Sequence, residues 1–143
     1  MINETQLSEF VVRHWELVAA LAALLTLLVG NEIQRKLRGI KDVGPVETTQ
    51  MLNHKDALLL DVREEKEYRD GHIGEAVHIP LAALAGRIGE LDKYKSRPVV
   101  AYCRSGQRSA RAGAMLRKQG FEVYNLGGGM MAWQNANLPT TRK

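Results

Sequence analysis

Four short strand-like segments punctuate the chain from Val46 onward, and each gives way to a helix-compatible stretch. The first, Ala57-Leu58-Leu59-Leu60-Asp61-Val62, is too short for a stable helix and shows no polar alternation. A run of that kind is a strand buried on both faces, as in a parallel sheet. Ala76–Ile79, closed by Pro80, Pro98–Tyr102 and Glu122–Leu126 read as three further short strands. Between them lie helix-compatible segments. Thr48 is a candidate cap for a helix ending near Asn53-His54, and Glu64–Asp70 stops at Gly71. Leu81–Leu91 reads as a helix or a pair of turns. Ser109–Gln119 sets Ala112, Met115 and Leu116 on one face, places Arg117 and Lys118 in its last turn and ends at Gly120. Gly127-Gly128-Gly129 opens a closing helix through Trp133. The expected fold class is α/β, with a mostly parallel sheet flanked by helices. Ligands on such sheets bind beyond the carboxyl ends of the strands.

Length and composition narrow the classes further. The 143 residues suit one domain plus a short extra element. One cysteine excludes an intramolecular disulfide framework, and four scattered histidines give no zinc spacing. A lone thiol fits a reducing compartment. A net charge of +4 is too modest to imply nucleic-acid binding, and two Phe make no stacking platform.

The N-terminal segment is different in kind. Leu17–Val29 reads LVAALAALLTLLV, uncharged, with Thr26 its only polar side chain. As a helix this core is about 20 Å long against a hydrocarbon thickness of about 30 Å. A full span therefore borrows Phe10-Val11-Val12 or Trp15 on one side and Ile33 on the other, with Trp15 suited to the interface. Three other readings compete. A cleaved secretory signal needs a basic leader and a small-x-small step, and neither is present. A buried core helix fits the length. An interfacial helix needs a polar face that Ala19–Leu25 lacks. Length and flanks favour a single transmembrane helix within residues 1–33, followed by a basic tether over 34–44 and the α/β domain over 45–143. Arg35, Lys36, Arg38 and Lys41 follow the run and Arg13 alone precedes it. The positive-inside rule then places the C-terminal domain in the cytoplasm. Ala19 and Ala23 have the spacing of a helix-pairing contact, which Ala-rich helices also produce by chance.

The chemistry centres on Val99-Val100-Ala101-Tyr102-Cys103-Arg104-Ser105-Gly106-Gln107-Arg108-Ser109. The only cysteine follows a strand and precedes a helix. A short loop there can curl its backbone N–H groups around the sulfur, and Gly106 permits the tight curl. The helix dipole and the charges of Arg104 and Arg108 favour thiolate over thiol. The alternative is a buried structural cysteine, a common state for that residue. Two arginines, a serine and a glycine within five residues argue against an apolar pocket.

The loop Cys103-Arg104-Ser105-Gly106-Gln107-Arg108-Ser109 resembles the active loop of single-domain rhodaneses, a sulfurtransferase family. Leu59-Leu60-Asp61-Val62-Arg63 with Glu67-Tyr68 resembles the family's first signature, and Gly71–Pro80 (GHIGEAVHIP) the second. The closing Gly127–Trp133 segment also fits, so the resemblance spans about residues 45–138. With the N-terminal helix added, the whole resembles a membrane-anchored rhodanese of bacterial type, and the implied location is the inner, cytoplasmic membrane. The resemblance implies that Cys103 takes sulfur from a donor such as thiosulfate, holds it as a persulfide, and passes it to cyanide or a thiol. Arg104, Ser105, Gly106, Gln107 and Arg108 then bind the anionic donor, and no metal or cofactor is required. Four residues separate Cys103 from Arg108 where related phosphatases and arsenate reductases have a longer cradle. The smaller cradle suits one sulfur atom.

Asp61 and Arg63, at a strand end, are expected to support the site, Asp61 by hydrogen bonds to the active loop. Arg63 and Glu67 also have the spacing of a helical ion pair. His72 and His78 are read as core or loop hydrogen-bonding groups, Gly127–Gly129 as a tight turn, and Met131 and Trp133 as core. Two functional classes stay open. One is sulfur transfer at the membrane. The other is a membrane-tethered interaction module that keeps the fold and acts on a membrane-protein partner, since fold alone cannot choose. The intact cysteine loop favours chemistry.

Overall fold

A computed structural model describes residues 3–37 and 39–142. The chain divides into two compact units, residues 1–37 and 38–143. Arg38, one of the basic residues that orient the expected anchor, lies outside the described residues.

The first unit holds helices α1 (Glu4–Arg13) and α2 (Trp15–Leu37), separated at His14, where the backbone leaves helical geometry. The apolar run sits wholly within α2. Trp15–Gln34 is long and apolar enough to cross a membrane, by length and composition, and none of it is buried. At 1.5 Å per residue its 20 residues extend about 30 Å. The missing length is supplied mainly from the C-terminal side, through Ile33, rather than from Phe10–Val12, which belong to α1.

In the second unit the elements run β1 (Lys41–Val43), α3 (Pro45–His54), β2 (Leu58–Asp61), α4 (Glu65–Asp70), β3 (Val77–His78), α5 (Leu81–Arg87), a 3-10 helix (Ile88–Tyr94), β4 (Val99–Tyr102), α6 (Gln107–Lys118), β5 (Val123–Leu126) and α7 (Gly129–Asn135). Among the described residues the strands form one five-stranded sheet in the order β1-β5-β4-β2-β3. Every neighbouring pair is parallel. The unbroken apolar runs follow from this. Alternate residues of β2 and β4 face opposite sides, and both sides are covered. Leu59, Val100 and Tyr102 pack with Met51 of α3 and with Met130 and Trp133 of α7. Leu58, Leu60 and Val99 pack with Leu84, Leu91, Ala112 and Leu116 on the other face. A fully buried leucine such as Leu60 contributes about 1.5–3 kcal/mol by leaving water.

Three expectations are corrected here. Thr48 does not cap α3. The helix starts three residues earlier, with Pro45 in its first turn, where the missing N–H costs nothing, and Thr48 is buried on its inner face. The segment expected as a tether extends α2 to Leu37 and then supplies an edge strand, because Lys41–Val43 pairs with Tyr124–Leu126. Met131 is not core: it is 51% exposed, whereas Trp133 is buried. The stretch Leu81–Leu91 resolves into α5 and the 3-10 helix, both partly buried through Leu84 and Leu91.

Candidate functional site

Cys103 follows the last residue of β4, and α6 begins at Gln107. The loop between them lies at the carboxyl end of the sheet, where parallel topology leaves a site. The turn is made at Gly106, whose φ of +98° is a left-handed conformation that glycine adopts without strain. That geometry turns the Gly106 N–H onto Sγ of Cys103, at 3.1 Å. The Ser109 hydroxyl oxygen lies 3.4 Å from the same sulfur. Cys103 is 1% exposed. Burial pushes its thiol up, but hydrogen bonds from the Ser109 hydroxyl and from the N–H groups of Ser109, Ser105 and Gly106 outweigh that effect. The net shift is downward, toward thiolate.

The other side of the loop is clamped by α7. Met130 and Met131 donate their N–H groups to the carbonyls of Cys103 and Arg104, at 2.8 and 3.2 Å. This approach requires glycine at 129. Its φ is +54°, and a Cβ there would meet the Cys103 carbonyl and the Arg104 backbone. Gly127–Gly129 is therefore the turn that docks α7 on the loop.

The two loop arginines are not equivalent. Arg108 forks onto Glu67 of α4, with N–H···O distances of 2.7 and 2.8 Å. Those bonds, against the cost of burial, hold the Glu67 carboxyl down to about 2 and raise Arg108 in turn. Arg104 is exposed, makes no ion pair among the described residues, and lines a cleft of about 440 Å³. Arg63, Glu67, Asp70, Met130 and Met131 share that cleft. Ser105 and Gln107 are exposed, and Gly106 is buried.

The expected Arg63–Glu67 pair does not form. Arg63 leaves β2 before α4 begins, and its guanidinium turns back onto Asp61, with Nη2 2.6 Å and Nε about 3.0 Å from the carboxylate. Nη2 also donates to the Gly71 carbonyl at 2.8 Å. Asp61 is fully buried and further accepts the Arg63 backbone N–H. It makes no direct hydrogen bond to residues 103–108. It nears the loop at Tyr102, which precedes Cys103: burial first, and then the Asp61 charge, pushes the Tyr102 phenol up. His72 and His78 hydrogen-bond the carbonyls of Tyr68 and Arg63 and stack on either side of the Tyr68 ring.

Sequence reasoning misses three groups. It places Glu67 in a motif but not on Arg108. It makes Ser109 the start of a helix, not a contact of the sulfur. It does not single out Asn125, whose amide touches Ser109, Gly106 and Asp42.

Residues 45–136 match the family described as the rhodanese-like domain. The chain is 32% identical to the uncharacterized protein YibN of Escherichia coli over 139 residues, 96% of this chain and 97% of that one. It is 38% identical to the putative sulfurtransferase YtwF of Bacillus subtilis, across 70% of this chain and 96% of that one. It is 35% identical to the thiosulfate sulfurtransferase GlpE of Coxiella burnetii, across 71% and 92%. Among solved structures, the rhodanese-like domain of an Anabaena protein superposes with a TM-score of 0.64 at 30% identity, covering 71% of this chain and 79% of that one. A rhodanese-related protein from Thermoplasma volcanium gives 0.65 at 25% identity, covering 72% and 99%.

Proposed function

This chain belongs to the rhodanese-like family and has a general sulfurtransferase role, and we propose that it moves sulfane sulfur from thiosulfate, or a similar anionic donor, to a thiol or cyanide-like acceptor through a persulfide on Cys103. The observation that carries this reading is the sulfur itself, buried, held by the Gly106 N–H and shifted toward thiolate at the carboxyl end of the sheet. The thiolate attacks the outer sulfur of thiosulfate. A new S–S bond forms at Sγ, the S–S bond of thiosulfate breaks, and sulfite leaves with the electron pair. The acceptor then attacks the outer sulfur of the persulfide, and Cys103 leaves as thiolate. The loop amides suit the charge on the outer sulfur. Arg104 attracts the donor from the cleft, and Arg108 contributes field while fixed by Glu67.

The membrane setting belongs to the same proposal. Trp15–Gln34 has the length and composition of a single span, and the basic residues after it favour a domain on the cytoplasmic face of a bacterial inner membrane. A membrane-protein partner is then within reach of the domain. The test of the chemistry is thiosulfate-to-cyanide transfer by the purified chain and by Cys103→Ser, whose hydroxyl cannot form a persulfide. Transfer by the unsubstituted chain and none by the variant is expected. Equal turnover by both overturns the assignment.

A further inference from the structure

The Ser109 hydroxyl stands between two acceptors. Its oxygen lies 2.6 Å from Oδ1 of Asn125 and 3.4 Å from Sγ of Cys103. A serine hydroxyl carries one proton, so it serves one of them at a time. The Asn125 amide is fixed by its other contacts. Its Nδ2 donates to Oδ1 of Asp42 at 2.9 Å and to the Gly106 carbonyl at 3.1 Å. A flipped amide would set oxygen against oxygen at both places. Oδ1 of Asn125 therefore faces Ser109 and requires its proton. Asn125 is 3% exposed and Ser109 is fully buried, so water does not replace a lost partner there.

We infer that Asn125 is a positioning residue that competes with the Cys103 thiolate for the single Ser109 proton, and that it thereby favours the sulfur-loaded form over the free thiolate. The second half rests on the persulfide reading above. With Cys103 a thiol, S–H donates to Ser109 Oγ, Ser109 donates to Asn125, and every group is paired. When the thiol ionises, the anionic sulfur draws the hydroxyl proton to itself and leaves Oδ1 of Asn125 buried without a donor. When an outer sulfur is added, the negative charge moves to that atom. Sγ becomes a neutral bridging sulfur, and the hydroxyl returns to Asn125. The free thiolate alone carries the cost of the competition.

The charged groups packed around this site are Arg108 of α6, held by Glu67 of α4, and Asp42 of β1 behind Asn125. Arg63 is paired with Asp61 beside Tyr102, and Arg104 is exposed. Their charges are the same whichever way the Ser109 hydroxyl points, so a double-mutant cycle isolates the hydroxyl.

The test is the pH dependence of iodoacetamide alkylation of Cys103 in the full chain. It compares the unsubstituted protein, Asn125→Ala, Ser109→Ala and the double variant. Asn125→Ala is expected to lower the alkylation midpoint by about one pH unit more when Ser109 is present than in the Ser109→Ala background. Any loosening of Gly106 by loss of the amide occurs in both backgrounds and cancels. Equal changes in the two backgrounds, or a larger upward change with Ser109 present, overturn the competition. A parallel measurement follows the fraction of Cys103 carrying an extra sulfur at a fixed thiosulfate-to-sulfite ratio, by intact-mass analysis. About tenfold weaker loading of Asn125→Ala supports the second half of the inference. Equal loading of that variant and the unsubstituted chain overturns it. Coupling in the alkylation cycle with no loading of the unsubstituted chain overturns the sulfur-carrier reading instead.

Discussion

Replacing Glu67 with Gln keeps the size of the group forked on Arg108 and removes its charge. In the folded chain the two hydrogen bonds from Arg108, set against burial, lower the Glu67 carboxyl from 4.5 to about 2. A tenfold change in proton affinity corresponds to about 1.36 kcal/mol, so this lowering is worth about 3.4 kcal/mol before screening. The partners are 32% and 30% exposed, and solvent screening reduces the contribution to about 1–2 kcal/mol. The folded-state value is depressed, so the contribution is complete above pH 4.5 and is lost as the pH falls through about 2. Urea unfolding of the unsubstituted chain and Glu67→Gln, measured from pH 7 down to pH 2, tests this. The unsubstituted chain is expected to be more stable by about 1–2 kcal/mol at pH 7, with the gap closing toward pH 2. A gap of constant size at every pH, or none at pH 7, refutes the assignment of Glu67 as the ionised partner of Arg108.

The remaining predictions concern the loop, its clamp and the edge strand. Arg104→Ala is expected to lower kcat/KM for thiosulfate about tenfold, with the loss shrinking at high salt because Arg104 is exposed. Arg108→Ala is expected to cost stability as well as activity, since it leaves Glu67 without its partner; unfolding and kinetics measured on the same preparation separate the two effects. Gly129→Ala is expected to destabilise the domain by about 1–3 kcal/mol and to abolish transfer, because the added methyl meets the Cys103 carbonyl; wild-type melting would contradict the clamp. A chain beginning at residue 38 is expected to fold and transfer sulfur, whereas one beginning at residue 45 loses β1 and Asp42 and is expected to melt lower; equal melting of the two would make β1 dispensable.

The parts legible in the sequence are those written in contiguous residues. Leu58–Leu60 and Val99–Tyr102 are unbroken runs of apolar and aromatic residues because both faces of the sheet are covered, and that burial is visible residue by residue. The cysteine loop is equally local, since the strand, the turn at Gly106 and the following helix are consecutive. What escapes is non-local or short. Lys41-Asp42-Val43 carries two charges in three residues, as an exposed edge strand does, and so reads as linker. Glu67 and Arg108 are 41 residues apart, and only the packing of α4 near the loop brings them together. Asn125 lies on a strand whose neighbours, β1 and β4, are set by topology. One signal is available in the sequence: an asparagine inside an otherwise apolar strand needs partners when buried. The Arg63–Glu67 pairing fails for a simple reason. Helical spacing applies only within a helix, and α4 starts at Glu65, after Arg63.

The central claim is that Cys103 carries sulfur covalently. Intact-mass analysis of the full chain after exposure to thiosulfate, with and without a reducing agent, tests it most directly. The account predicts a gain of one sulfur atom, located on the peptide containing Cys103, removed by cyanide or a thiol and absent from Cys103→Ser. An unmodified Cys103 after exposure, or the same gain in Cys103→Ser, would contradict it.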